Sequence, residues 1–299
     1  MKPASIHDAT ISGSALSVIV PAKNEALSLK TLLPGIRAVL PDAEIIVVND
    51  GSSDDTVEVC EASGVRVVSH PYSKGNGAAI KTGVRAANRD WLLFMDADGQ
   101  HRPEDMSVLL EKMGDGYDMV VGARGMRSQA GIHRGLANGL YNRLASWMVG
   151  QPVADLTSGF RVADAKKFRQ FEYLLPNGFS YPTTITMSFF RAGHSIAYVP
   201  IHAPKRIGKS HVRVVKDGVR FLLIIFKIGS LYSPLKLFAP VALVHFLLGI
   251  GYYAFTFLTQ QRLSSMTVFL LSASVTIFMI GLVSEQITAL MYRDSASRD

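Results

Sequence analysis

One cysteine, Cys60, occurs in 299 residues, so the chain makes no internal disulfide, has no Cys-rich metal site, and needs no oxidising compartment for its folded part. Cys60 reads as a small residue on a helix face. The first fifteen residues are polar and mixed and lack the apolar h-region of a cleavable signal peptide. Two common phosphate loops are missing: around Lys74-Gly75-Asn76-Gly77 neither Gly-x4-Gly-Lys-Ser/Thr nor Gly-x-Gly-x-x-Gly is found. A net charge of +7 would suit nucleic acid, but the basic residues gather just ahead of an apolar C-terminal tail, where anionic lipid headgroups are the expected partner.

What is present is a series of apolar runs that end in polar turns. Leu16 to Pro21 reads as a strand stopped by Pro21, followed by the loop Ala22-Lys23-Asn24-Glu25 and a helix from about Ser28 to Leu40. Glu44 to Asn49 repeats the pattern, with an acidic turn from Asp50 to Asp54 and a helix from about Asp55. Val65 to Ser69 is a short third strand, and the Gly-rich loop at Lys74 opens a helix through Ala87 whose N-terminus offers a phosphate site beside Lys74. The stretch Trp91-Leu92-Leu93-Phe94-Met95-Asp96-Ala97-Asp98-Gly99-Gln100-His101 organises the rest. Five apolar residues run into two carboxylates one residue apart, the mark of a buried parallel strand ending at the edge where open α/β sheets bind ligands. Residues i and i+2 of an extended chain point the same way, so Asp96 and Asp98 present oxygens to one hard cation, Mg²⁺ or Mn²⁺, which would bridge them to a diphosphate. Taken alone, the tetrapeptide reads equally well as a polar turn.

Beyond it the sequence predicts a helix from Pro103 to Met113, a strand from Met119 to Gly122 ending at Ala123-Arg124, and a late strand from Ala197 to Ile201. Leu136, Leu140, Leu144 and Met148 recur every four residues along a helix at 134–149. Core packing is its ordinary reading, and an interfacial position the alternative. Asp155 to Arg161 is polar and turn-rich, and about 163–195 yields only helix and loop.

Arg213, Lys216, Arg220 and Lys227 share an arc of about 60° on an otherwise apolar helix, the profile of a helix lying in a membrane interface. Leu237 to Leu258 then runs without formal charge for roughly 33 Å of helix, against a hydrocarbon thickness of about 30 Å, with Pro240 placed in its first turn. A second such run begins at Ser264. Positive-inside counting puts both termini of this hairpin in the cytoplasm. His245 and Glu285 are the ionisable exceptions and read as structural.

The pieces Val18 to Glu25, Val48 to Thr56, Met95 to His101, Asp155 to Phe160 and Arg206-Ile207-Gly208-Lys209-Ser210 together resemble the polyprenyl-phosphate glycosyltransferases of family 2, the dolichyl-phosphate mannosyltransferase group. The two-span tail resembles their membrane-anchored bacterial branch. The resemblance implies an α/β fold of GT-A type with a mostly parallel sheet, binding a nucleotide sugar, then interfacial helices and a transmembrane hairpin. The parts would be a tail at 1–15, the transferase unit at 16–211, an interfacial helix at 212–230, two spans within 231–292 (about 237–258 and 264–287) and a cytoplasmic tail at 293–299. It implies transfer of a sugar, with inversion, from a GDP-mannose or UDP-glucose type donor to undecaprenyl or dolichyl phosphate at the cytoplasmic membrane. Pro21, Glu25 and Asp50 would hold base and ribose, with Lys74 nearby, and Asp96, Asp98 and Gln100 the metal and diphosphate. Arg206 would reach the diphosphate with help from Ser210. Arg124 and Arg134 would hold the acceptor phosphate. Asn138 stands where the family pattern has a serine, and still donates a hydrogen bond. Asp155, grouped with Asp98 and Arg206 as catalytic, is either base or sugar ligand. A second copy of the chain is a further partner to test; nucleic acid is not expected. Two other readings are a processive polysaccharide synthase and a non-catalytic membrane scaffold. The first calls for Gln-x-x-Arg-Trp, whereas Trp91 and Trp147, the only tryptophans, do not follow Arg.

Overall fold

A computed structural model of the chain describes residues 11–124, 132–178, 180–201, 230 and 232–296, with side chains omitted at 132–138 and 291–296. Two compact units result, Met1–Ser210 and His211–Asp299.

The first unit is built on a seven-stranded sheet in the order β3-β2-β1-β4-β6-β5-β7. Its strands are β1 (Leu16–Ala22), β2 (Glu44–Asn49), β3 (Arg66–Ser69), β4 (Trp91–Phe94), β5 (Met119–Arg124), β6 (Arg161–Asp164) and β7 (Ile196–Ile201). All pairings are parallel except those of β6, which runs antiparallel to both β4 and β5. Buried parallel strands are apolar on both faces, and β1, β2 and β4 are. Val18, Val20, Ile45, Val47 and Leu93 pack against α1 (Ala26–Val39) and α4 (Asp105–Gly114) in one core. On the other face Ile19 and Val48 meet α3 (Asn76–Ala86), while Phe94 stacks on Phe168 of α6 (Ala165–Arg169) and leans on Tyr181 of α7 (Tyr181–Arg191). Cys60 is buried on the short helix α2 (Thr56–Ala62).

Three sequence expectations are corrected here. β1 does not stop at Pro21 but continues to Ala22 beside β2. Ile19 uses its β4-facing carbonyl to accept from Met95 N, and Pro21, two residues on, faces the same side beyond the last paired residue of β4, where no N–H is called for. A strand the sequence reading did not contain, β6, straddles the end of the polar turn and the start of the segment taken for helix and loop, and it is inserted between β4 and β5. Third, the leucine stripe of α5 (Ile132–Val149) is only partly its buried face. Met148 is buried and Leu144 half-buried, but Leu140 is 62% exposed, and the inward positions beside Met148 are Tyr141 and Ala145, which lie off the stripe, with Trp147 50% exposed.

The second unit contains α8 (Pro234–Gln260) and α9 (Ser265–Ala296), both long and apolar enough to cross a membrane. Pro240 lies inside α8 rather than in its first turn, because the helix already starts at Pro234, whose fixed φ suits that position. The two helices approach closely at small residues: a β-carbon on Gly249 would sit 2.8 Å from Leu271, one on Gly281 2.9 Å from Phe238, and Ser274 Oγ donates to Ala242 O at 2.9 Å. Glu285 accepts from Leu235 N at 3.2 Å, satisfying an orphan donor at the start of α8, which gives it the structural role expected.

Candidate active site

The turns after β1 and β2 lock together. Asn24, in the left-handed region at φ 55°, donates from its backbone to Ser52 Oγ at 2.9 Å and accepts from Ser53 N at 2.8 Å, and Glu25 N reaches Thr56 Oγ1 at 3.1 Å. Pro21 and Glu25 are partly exposed on this edge. Asp50 is nearly sealed. Its Oδ1 accepts from Lys74 N at 2.7 Å and pairs with His70 Nδ1 at 2.8 Å, and its Oδ2 accepts from Ser73 Oγ at 2.7 Å and Gly75 N at 2.9 Å. Burial works against the charged form, but the bonds from His70, Lys74 N, Ser73 and Gly75 outweigh it and hold the carboxyl at about 2. With both oxygens so occupied, Asp50 shapes the wall of the cleft where base and ribose are expected.

Lys74 departs from expectation. At the N-terminus of α3, Gly77 N donates to Gly178 O at 3.2 Å and Ala78 N to Asn177 O at 2.9 Å, so the chain's own carbonyls occupy the place reserved for a phosphate. Any side chain at Gly77 would begin 1.9 Å from Pro176 O. The Lys74 ammonium instead lies 5.7 Å from the centre of the Tyr72 ring.

Asp96 follows β4 at the same edge. Gly159 lies against it so closely that a β-carbon would stand 2.8 Å from Asp96 Oδ2. His101, buried and stacked on Phe160 at 4.9 Å, points Nε2 at the same oxygen from 3.7 Å. Burial raises the Asp96 carboxyl, but His101, Arg124 and Arg161 bring it below the usual range. Asp98 Oδ1 accepts from Gln100 N at 3.1 Å, tightening the turn in which Gly99 takes φ 72°. Two carboxylates and an amide are an all-oxygen donor set of the kind Mg²⁺ or Mn²⁺ takes. Among the described residues no group of three His, Cys, Asp or Glu side chains is arranged to hold a metal ion.

Arg124, at the end of β5, grips Asp155 in a fork: Nε to Oδ2 at 2.8 Å and Nη2 to Oδ1 at 3.1 Å, with Nη2 also donating to Thr157 Oγ1 at 2.7 Å. Asp155 is 2% exposed and further accepts from the backbone N–H groups of Arg124, Thr157 and Ser158. Burial opposes its charge, but Arg124 and these N–H groups carry its carboxyl below the ordinary range. A carboxylate so stabilised and occupied is a weak base, and the geometry makes Asp155 the anchor of Arg124. β4 and β5 each run antiparallel to β6, so Asp96 and Asp98 beyond the one and Arg124 at the end of the other lie at the same edge of the sheet. Arg134 and Asn138 lie on α5 with side chains outside the described residues, as do Arg206, Ser210 and the whole basic stripe.

Sequence reading missed Arg161, which looked like the end of a polar turn. It is fully buried, donating from Nη1 to Pro182 O at 3.1 Å and Thr186 Oγ1 at 3.0 Å, and from Nη2 to Ser158 O, with its guanidinium 5.9 Å from the Tyr181 ring centre. It thus ties the loop after Asp155 to the start of α7, directly behind Asp96. Arg-Val-Ala-Asp does not alternate, so the sequence carried no period-2 signal for it.

A scan against family models matches residues 17–171 to glycosyl transferase family 2 and residues 233–290 to the GtrB C-terminal hairpin. The chain is 26% identical over 298 residues to the glycosyltransferase AglJ of Haloferax volcanii, covering 95% of this chain and 97% of that one. It is 30% identical over 210 residues to an undecaprenyl-phosphate mannosyltransferase of Micrococcus luteus, covering 64% and 85%. Among solved structures, glucosyl-3-phosphoglycerate synthase of Mycobacterium tuberculosis, in complex with Mg²⁺ and uridine diphosphate, superposes with TM-score 0.58 at 25% identity over 72% of this chain and 78% of that one. The parallel sheet with its acidic turns, the GT-A type α/β architecture and these matches place the chain in glycosyl transferase family 2, with a C-terminal hairpin of the GtrB type.

Proposed function

We propose that the protein transfers a hexose, with inversion, from a nucleotide-diphosphate sugar of the GDP-mannose or UDP-glucose type to a polyprenyl phosphate such as undecaprenyl or dolichyl phosphate, at the cytoplasmic face of a membrane. The observation that carries this reading is that Asp96, Asp98 and the Arg124–Asp155 pair lie at the same edge of the sheet. Names of relatives support the acceptor: the Micrococcus luteus protein acts on undecaprenyl phosphate. Asp96, Asp98 and Gln100 would hold the divalent cation, whose chemistry is to neutralise charge on the departing nucleotide diphosphate. Arg206 and Ser210 would complete the diphosphate site. Pro21 and Glu25 would border the base. Arg124 and Arg134, with Asn138, would receive the acceptor phosphate. Arg124 would be held to that task by Asp155, which grips the Nε–Nη2 edge of the guanidinium through both of its oxygens.

A phosphate monoester has its second pKa near 6, so near neutral pH the acceptor is already an oxyanion and needs positioning more than a base. In-line attack of its oxygen on the anomeric carbon expels the nucleotide diphosphate and gives a β-linked lipid sugar from an α-linked donor. The hairpin and the basic stripe at Arg213, Lys216 and Arg220 would hold the site against the lipid, with both termini in the cytoplasm.

Incubating the purified full-length protein with a panel of nucleotide sugars and a polyprenyl phosphate, with and without chelator, tests this. Lipid-linked sugar is expected only with Mg²⁺ or Mn²⁺, and Asp98→Asn is expected to abolish its formation. Normal rates in excess chelator would exclude the metal role, and no lipid product from any donor would exclude the transferase reading.

A further inference from the structure

Beside Asp96 is a recess lined by Asn76, Asp96, Thr157, Ser180, Tyr181 and Thr183. Its position follows from its walls. Asp96 belongs to the carboxylate pair, and Thr157 bonds Arg124 at 2.7 Å, so the recess lies between the groups that would face the leaving diphosphate and the group that would face the incoming phosphate. The sugar must occupy that interval.

Most polar groups of the wall are committed. Thr157 Oγ1 is shared by Asp155 and Arg124, Thr183 Oγ1 accepts from Tyr141 OH at 3.0 Å, and Tyr181 OH donates to Gly159 O at 3.1 Å. The side chains of Asn76 and Ser180 have no hydrogen-bond partner among the described residues. Ser180 is unusual twice over. It precedes α7, yet its hydroxyl does not cap the helix, and it holds φ at 85°, where a side chain is strained. Glycine would suit that backbone better, so the serine is kept against a local cost. Among the described residues no Lys, Arg or His lines the recess, and one of its walls is a carboxylate.

We propose that this recess receives the donor's hexose, that Asn76 and Ser180 read its hydroxyls, and that the sugar is neutral and not a uronic acid. The proposal rests on the transferase reading above. Asn76 offers both an amide donor and a carbonyl acceptor, and Ser180 a hydroxyl that does either, which matches the mixed hydrogen bonding of a hexose. A sugar carboxylate would stand unpaired against Asp96.

The test measures binding by calorimetry on the full chain in detergent with Mn²⁺, using UDP, UDP-glucose and UDP-glucuronate, and GDP and GDP-mannose in parallel. Wild type is expected to bind one neutral nucleotide sugar several-fold tighter than its bare nucleotide diphosphate, and the glucuronate more weakly than either. Asn76→Ala and Ser180→Gly should each lower affinity for the nucleotide sugar by about five- to tenfold, one hydrogen bond's worth, and leave the bare nucleotide unchanged. Ser180→Gly also relieves the left-handed strain, so its melting temperature should not fall and misfolding cannot mimic the result. An unchanged ratio in both variants, or preference for the glucuronate, overturns the proposal while leaving the transferase reading standing. Absence of binding by every nucleotide and nucleotide sugar overturns both.

Discussion

Four hydrogen bonds converge on the carboxylate of Asp50, and they make the residue a titrating part of the fold. Its pKa is depressed to about 2 from 3.8, so the stability it contributes is fully present above pH 3.8 and is lost as pH falls toward 2. The shift corresponds to about 2 kcal/mol. Unfolding followed between pH 6 and 2 should therefore show an acid limb that flattens in Asp50→Asn, and an identical limb in that variant would remove Asp50 from this account. Asp155 carries a second prediction at the same scale. Because its carboxyl is held low, it is ionised throughout the neutral range, and the rate of lipid-sugar formation should rise with pH near 6, as the acceptor phosphate loses its second proton. Asp155→Asn should lower the rate by releasing Arg124 and leave that midpoint in place. A midpoint that moves with the substitution would restore Asp155 as a base. Arg134→Ala, in turn, should raise the Michaelis constant for polyprenyl phosphate and spare donor affinity, with Arg206→Ala showing the reverse; initial rates for the acceptor and calorimetry for the donor separate the two.

Among the elements, β6 depends most on Arg161. Replacing it by Met leaves Ser158 O, Pro182 O and Thr186 without their donor and takes a positive charge from behind Asp96, a loss expected to cost about 3–5 kcal/mol. Arg161→Lys keeps the charge but not the fork, and thermal unfolding should place it between Met and wild type. This strand also shows where sequence reading stops. β1, β2 and β4 were legible because a strand buried on both faces must be a run of apolar residues, and their acidic turns mark the ligand edge. Arg161-Val162-Ala163-Asp164 has two apolar residues between two charges, and the groups that make its arginine tolerable, Pro182 and Thr186, come from a helix some twenty residues on. The same limit explains Asp50 and Lys74, whose residue types fit a nucleotide site but whose partners, at His70 to Gly75 and at Asn177 to Gly178, are tertiary. The period of α5 was correct and its phase held only in part: Met148 is buried, but Tyr141 and Ala145 also face inward, with Tyr141 OH on Thr183, and Leu140 and Trp147 are left outside.

For the whole molecule, the apolar hairpin and the transferase unit should fail separately. Gly249→Leu puts atoms where Leu271 already lies and should loosen the hairpin, and Arg213, Lys216 and Arg220 replaced by Gln should weaken transfer in anionic liposomes while the unit's melting temperature stays put. Equal rates of mutant and wild type in anionic and neutral vesicles would count against the stripe. The placing of β6 has another consequence, in time. β4 and β5 are joined in the sheet only through this strand, which leaves the ribosome after both. Asp96 and Arg124 are therefore synthesised long before anything fixes the distance between them. A nascent chain cut off before Arg161 would have β1 to β4 paired and an open edge on β4, exposing unpaired backbone to whatever strand came near. Assembly of the catalytic edge is in this sense a late event of folding, and the four residues that complete it also join the two parts of the sheet.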